Sequence, residues 1–223
     1  MFEYVRKETV TLDSGETQTR YIVESIPLKK KYAFSALKRV FDFTVSLIFG
    51  IVLLPIMLLL ALMIRLDSPG KVIYSQMRLG KNGRAFKLLK FRTMRMDAEA
   101  NGPVWAEKND ERCTKLGARL RKYRFDELPQ LYNILLGHMS LVGPRPERPC
   151  FYEEFKSYID GFDKRLAVKP GLTGLAQVNG GYDLRPEEKV VYDMEYIEKR
   201  NVWLDIKILF KTVKLVFTHD GAR

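Results

Sequence analysis

The longest apolar run in the chain, FTVSLIFGIVLLPIMLLLALMI from Phe43 to Ile64, passes 22 residues without a charge. That meets the length of about 20 residues a helix needs to cross a bilayer. The run starts too far from Met1 to be expected as a cleaved signal, and no small-residue cleavage site follows it. Pro55 stands near its middle, with Gly50 a little over one turn earlier. A proline inside a helix removes a hydrogen bond and clashes with the preceding turn, so the pattern predicts two helices meeting at a break. Basic residues flank both ends, Lys29, Lys30, Lys31, Lys38 and Arg39 before it and Arg65, Lys71, Arg78, Lys81 and Arg84 after it. A true span should show a charge asymmetry, and there is hardly one. A helix that enters one leaflet, breaks at Pro55 and returns reconciles length, proline and charge, with protein or lipid contacts satisfying the backbone groups the proline frees. An ordinary kinked span is the competing reading.

The other patterns are shorter. WLDIKILFKTVKLVF, from Trp203 to Phe217, sets Lys207, Lys211 and Lys214 on one side of a helical repeat and a wide apolar face on the other. It suits a membrane interface, and equally suits packing on the protein's own core. Near the start, two Thr/Val/Ile-rich runs around Asp13-Ser14-Gly15 predict a small hairpin. Short strands and turns are expected between Lys71 and Met96. From Glu107 onward, helices alternate with the loops VGPRPERP and KPGLTGLAQVNGG, whose composition exposes backbone amides to ligands.

Composition narrows the setting. The chain has 223 residues, 46% of them hydrophobic, and a formal net charge of +11. This is enough for a packed core, and the basic excess attracts phosphates, whether of nucleic acid, anionic lipid or a phosphorylated small molecule. Cys113 and Cys150 form no CxxC pair, and His138 and His219 stand far apart, so neither a zinc cage nor a disulfide framework is supported and a reducing compartment is the default. From Arg78 to Met96 there are seven basic residues and no acid. Phe86 and Phe91 interleave them, as in a single-strand nucleic-acid groove. The segment nevertheless follows the apolar run closely, which places it at a bilayer surface.

Two sites carry candidate chemistry. Arg145, in VGPRPE, sits between prolines that fix the backbone, and its guanidinium fork matches a diphosphate. RFDELPQ puts Asp126 and Glu127 side by side before Pro129. Solvated acids at a helix start are the plain explanation, since carboxylates and proline both suit a first turn.

Four stretches in order, KRVFDFTVSLIFGIVLLP, YSQMRLGKNGRAFKLLKFRTM, DELPQLYNILLGHMSLVGPRP and KPGLTGLAQVNG, give a close resemblance, from about Leu37 to Phe217, to bacterial sugar transferases of the monotopic polyprenyl-phosphate phosphoglycosyl transferase kind, in their small catalytic-domain form. The resemblance implies an α+β, mainly helical monotopic membrane protein with a re-entrant helix broken at Pro55, interfacial amphipathic helices and a small β element. It implies Asp126 as nucleophile and Glu127 as a Mg²⁺ ligand. Lys90 and Arg92 match the family's basic strand motif, and Gln76 with Arg78 its Gln-x-x-Arg element, one position short. Arg145 matches its Pro-Arg-Pro loop, and Asp193 a C-terminal helix acid. Phosphate or substrate contact is thus expected of Arg78, Lys90, Arg92, Arg145 and Asp193. Three positions depart from relatives: Leu54-Pro55 where several have Ser-Pro, Gly137-His138-Met139-Ser140 where Gly-Asp-Met-Ser is usual, and Arg124-Phe125 where Ser-Leu often precedes the acids.

The paired acids then have a use. The β-phosphorus of a nucleotide sugar is shielded by anionic oxygens, so an anionic nucleophile needs a cation and arginines to approach it. Glu127 would hold the metal while Asp126 attacks. A helix starting near them would keep Asp126 ionised. The expected activity is transfer of a phosphosugar from a UDP-sugar to undecaprenyl phosphate on the cytoplasmic face of the bacterial inner membrane, with release of UMP through an aspartyl-phosphosugar, opening exopolysaccharide, capsule, O-antigen or glycoprotein glycan assembly. No nucleic acid is expected as partner. Which sugar, and whether the chain forms a homodimer, stay open. A membrane-tethered binder of anionic lipid or nucleic acid, and a polytopic transferase with no covalent step, are the alternatives. The expected divisions are an N-terminal extension over 1–34, the re-entrant helix over 35–66 and the catalytic domain over 67–223.

Overall fold

The computed structural model describes residues 4–11, 17–27, 31–100, 102, 104 and 110–218. The expected turn at Asp13-Ser14-Gly15, the basic residues Lys29 and Lys30, and His219 lie outside the described residues. Helix α1 (Tyr32–Val52) and helix α2 (Leu54–Asp67) meet at Leu53 with a bend of 61°. Pro55 has no N–H with which to continue the ladder of α1. It fits the first turn of a new helix, where that donor would have no intrahelical partner. Met57 N–H then donates to Leu53 O at 2.8 Å as α2 begins. Among the described residues no single helix is long and apolar enough to cross a membrane, and the bent pair meets that length and composition only jointly.

Both ends of the bent pair are held by one body. In α1, Arg39 donates to the carbonyls of Ile134 and Leu135 at 2.6 and 2.8 Å. Asp42 accepts from the Leu141 N–H at 3.2 Å, and Lys38 reaches Asp205 at 2.6 Å. At the far end of α2, Arg92 donates to the carbonyls of Ile64, Ser68 and Pro69, tying down the helix end and the turn that follows it. Leu60 and Ile64 of α2 pack on Phe91 and Leu120. Phe49, Ile51, Leu58, Leu59 and Leu62 stay exposed.

Strands β1 (Val5–Thr11) and β2 (Thr17–Val23) form the expected hairpin, with Val5 opposite Val23. The hairpin is built into the main body. Tyr4, Val5 and Val23 are buried in the same core as Ile134, Phe162 and Tyr196, and a short strand at Ile159–Asp160 pairs with β2 in parallel. After α2 come β3 (Ile73–Leu79) and β4 (Ala85–Phe91), an antiparallel ribbon within the stretch expected to hold short strands. Tyr74 pairs with Lys90, Gln76 with Leu88 and Arg78 with Phe86. Cross-strand partners point the same way, and strand side chains alternate, so these six share one face.

The remaining elements close around that ribbon. They are α3 (Lys115–Lys122), α4 (Gln130–Leu135), β5 (Ser140–Val142), α5 (Pro149–Lys156), β6 (Ile159–Asp160), β7 (Gly171–Thr173), α6 (Leu175–Val178), α7 (Pro186–Lys199) and α8 (Val202–Thr218). β6 is the parallel partner of β2, through Tyr21 and Ile159. β5 and β7 form a parallel pair. Helix α8 packs on the core, as one of the two readings of its pattern expects: Ile208 is buried and Thr212 bonds Thr173 at 2.7 Å, while Trp203, Phe210 and Phe217 are more than 70% exposed.

Candidate active site

Asp126 and Glu127 occupy a tight turn, Phe125–Glu127, ahead of α4. The turn is entered through Arg124, whose φ of 58° is left-handed. That conformation costs a non-glycine residue roughly 1–2 kcal/mol, and such strain gathers where surrounding structure holds a site in shape. Here the holding bonds are Arg124 N–H to Arg121 O at 3.0 Å and Glu127 N–H to Arg124 O at 3.2 Å. Both acids are buried.

Cations converge on them from two directions. Lys90 Nζ, from the ribbon face, lies 2.8 Å from Glu127 Oε1 and 3.5 Å from Asp126 Oδ2. Arg145 Nη2 lies 2.7 Å from the same Glu127 oxygen. Arg145 is carried by the loop after β5, and close backbone packing fixes where that loop begins. A Cβ on Gly143 would lie 2.4 Å from Lys169 O, and one on Gly171 would lie 2.1 Å from Gly143 N, so neither position has room for a side chain.

The loop is braced twice more. Arg78 donates to Pro146 O and to Glu147, both at 3.2 Å. Arg165 donates to Arg145 O at 3.0 Å while its guanidinium pairs with Asp193 at 2.6 Å. Two of the residues expected to contact phosphate are engaged by protein partners. Asp193 is 1% exposed and reaches the site only through Arg165. The terminal nitrogens of Arg92 are committed to the end of α2. Both side chains are satisfied by protein partners here, as buried charges are, and Arg92 also lines the cavity over the acids. Gln76 donates to the Tyr74 hydroxyl at 2.9 Å. Pro55 lies at the helix bend.

A cavity of about 310 Å³ opens over the acids, lined among others by Lys90, Arg145, Arg121, Arg124, Arg148 and Gln177. The last four were not singled out from sequence. Arg124 and Arg148 adjoin recognised motifs, but nothing in their spacing signals that they face one cavity. Glu127 is pulled in two directions: burial raises its pKa, and the charges of Arg145 and Lys90 outweigh burial to hold it well below the usual carboxylate range. Asp126 is pushed up by burial and by the neighbouring Glu127 charge, with Lys90 offsetting part of the shift. The expectation that a helix start keeps Asp126 ionised is thus corrected. The turn precedes a six-residue helix, and Lys90 is the largest of the charges that favour the anion.

Among the described residues, no group of three or more His, Cys, Asp or Glu side chains is arranged to hold a metal ion. Magnesium does not need such a cage. It is commonly held by one or two carboxylates together with substrate phosphates and water. An ionised Glu127 beside Asp126, at the floor of a cavity lined by cations, fits that donor set.

A sequence model of the bacterial sugar transferase family matches residues 33–219. The chain is 42% identical over 195 residues to the UDP-N-acetylgalactosamine-undecaprenyl-phosphate N-acetylgalactosaminephosphotransferase of Aeromonas hydrophila, covering 86% of this chain and 46% of that protein. It is 42% identical over 190 residues to the UDP-glucose:undecaprenyl-phosphate glucose-1-phosphate transferase of Klebsiella pneumoniae, covering 83% and 41%. It is 44% identical over 189 residues to the exopolysaccharide production protein PSS of Rhizobium leguminosarum bv. phaseoli, covering 79% and 93%. The chain spans less than half the length of the first two.

Proposed function

The chain belongs to the bacterial sugar transferase family, and on that premise we propose that it transfers a phosphosugar from a UDP-sugar to undecaprenyl phosphate, releasing UMP, as an early membrane step of surface-glycan assembly. The observation that carries this reading is the convergence of Lys90 and Arg145 on the buried pair Asp126 and Glu127. A binder of lipid or nucleic acid has no use for two buried carboxylates beneath phosphate-attracting cations.

The proposed chemistry has two displacements at one phosphorus. A carboxylate oxygen of Asp126 attacks the β-phosphorus of the donor, the bond to the bridging oxygen breaks, and UMP leaves with that oxygen. Lys90 and Arg145 sit where they can take up charge on the diphosphate as it separates. An oxygen of the lipid phosphate then attacks the aspartyl-phosphosugar, forming the polyprenyl diphosphate sugar and returning Asp126 as carboxylate. Glu127 is the residue that would hold magnesium, which when bound would supply the charge neutralisation that opens phosphorus to an anion. Arg78, Arg165 and Asp193 keep the Arg145 loop in place.

A lipid acceptor requires a site at the bilayer. We read α1 and α2 as a re-entrant pair entering and leaving from the cytoplasmic face, because Arg39 and Asp42 at one end and Arg92 at the other attach to the same body. The bare apolar side chains between them, Ile51, Leu58 and Leu62 included, would face lipid. The exposed Trp203 and Phe210 of α8 suit the interface.

The test is the half-reaction. With UDP-sugar and Mg²⁺ but no lipid, rapid acid quench and intact-protein mass spectrometry should show a phosphosugar adduct of at most one per chain, mapped to Asp126, together with UMP. Labelled UMP should exchange into UDP-sugar, and Asp126→Asn should abolish both signals. An enzyme that turns over fully with lipid yet shows neither adduct nor exchange would sink the covalent route and leave direct attack by the lipid phosphate.

A further inference from the structure

Away from the cavity, at the opposite end of α4, a second group of cations faces the apolar side of the molecule. Lys169 Nζ and the Arg39 guanidinium each lie within 3.4 Å of the point where a Cβ on Gly137 would sit. The carbonyls of Ile134 and Leu135, at the end of α4, hold Arg39 there. Lys169 has no hydrogen bond or ion pair with any described residue, although it is partly buried. Burial, then the charges of Arg39 and Lys81, lower its pKa, and the opposing charge is Asp42, whose carboxylate already accepts from the Leu141 N–H. Residue 138, next to this group, is an exposed histidine and brings no carboxylate.

An ammonium beside a guanidinium, with Asp42 as its opposing charge and no ion pair of its own among the described residues, is a costly arrangement that an anion relieves. The surroundings indicate the kind of anion. Val40, Phe43, Tyr132 and Leu136 are exposed apolar neighbours in sequence or along the helix, and the Phe43 ring lies 5.6 Å from the Arg39 guanidinium. A phosphate there would have hydrocarbon-compatible surface beside it. Helix α4, six residues and so about 9 Å long, separates the group from the catalytic turn.

We propose that Arg39 and Lys169 form a binding site for the phosphate headgroup of an anionic bilayer phospholipid, distinct from the catalytic cavity. The proposal rests on the reading of α1 and α2 as membrane-inserted, and it extends that reading by assigning a headgroup contact at the base of α1.

The experiment uses the full chain in detergent, titrated with dioctanoyl-phosphatidylglycerol or dioctanoyl-phosphatidylcholine and followed by native mass spectrometry. Wild type should take one phosphatidylglycerol about tenfold more tightly than phosphatidylcholine. Lys81→Gln with Lys169→Gln should lose about thirtyfold in phosphatidylglycerol affinity, on the scale of two basic residues at an anionic surface, with melting temperature and UMP release unchanged. Lys207→Gln with Lys214→Gln, an equal change of charge on α8, should keep the preference. Equal loss in both double variants, or no loss in the first, overturns the site. Equal affinity for sn-glycerol 3-phosphate overturns the lipid assignment. Displacement of phosphatidylglycerol one for one by a short-chain polyprenyl phosphate overturns it in favour of the acceptor. Failure of the membrane premise is seen separately, as wild-type protein that does not enter neutral phosphatidylcholine vesicles, and it removes the proposal with it.

Discussion

Arg145 donates through Nη2 to Oε1 of Glu127 at 2.7 Å, an oxygen that Lys90 also contacts at 2.8 Å. Two cations on one carboxylate hold Glu127 ionised despite its burial, while Asp126 beside it is pushed the other way. Adjacent acids with separated pKa values are the usual mark of divided roles. The separation here arises from which acid the arginine reaches.

Asp126 supplies a pH signature. Its pKa is raised, so the nucleophilic anion forms only above the ordinary carboxylate range, and the acid limb of kcat/KM is expected there. Lys90→Gln removes the charge that most favours the anion and should move that limb to higher pH. A limb that stays put, measured by UMP release, would contradict the assignment.

The same shift has a stability counterpart. A carboxylate whose folded-state pKa is raised holds its proton longer in the folded than in the unfolded chain, so its ionisation costs stability above that pKa and the cost vanishes as pH falls through it. Asp126→Asn should therefore raise the melting temperature at neutral pH, by about 2–4 °C for each kcal/mol in a chain of this size. The gain should shrink toward low pH in thermal scans.

Asp193→Asn tests the supporting pair. Arg165 is fully buried against Asp193, and removing one partner of such a pair costs about 3–5 kcal/mol. The Arg145 loop loses its anchor, and misplacement on the ångström scale costs on the order of 10²-fold in rate. Thermal melts and turnover should fall together. Loss of donor affinity alone, with stability intact, would return Asp193 to direct ligand contact.

Cysteines introduced at Tyr32 and Lys71, in a background lacking Cys113 and Cys150, should both be labelled from the cytoplasmic side. Labelling from opposite sides would establish a span. Pro55→Leu allows a continuous apolar helix long enough to cross, and should move Lys71 to the other side and lower turnover.

Lys38→Met removes the cation that lies 2.6 Å from Asp205 and 3.8 Å from Asp42. Asp205 is already pushed up by burial, so the expected loss is about 3–5 kcal/mol by denaturant unfolding. Adding Asp205→Asn should recover part of it. No recovery would show that the pair is not coupled.

What the sequence determined by itself is what local chemistry can dictate. Pro55 cannot donate to a ladder, so the break falls there whatever surrounds it. The alternation in β3 and β4, the apolar run on either side of the break and the fit of Trp203 to Phe217 to a helix are likewise properties of neighbouring residues. The motifs were also legible, and with them the candidates Asp126, Glu127, Lys90 and Arg145. Tertiary structure decided the rest, because burial and partnership depend on residues far apart in the chain. Arg92 and Arg145 look alike in sequence, both basic residues in a recognised motif, yet one closes the end of α2 and the other reaches Glu127. Asp193 lies 28 residues from Arg165, and no pattern along the chain announces that they meet. The N-terminal hairpin, expected as an extension, joins the core through Tyr4, Val5 and Val23 and through the pairing of β6 with β2. The opposite pKa shifts of two adjacent acids follow from which distant cation reaches which oxygen.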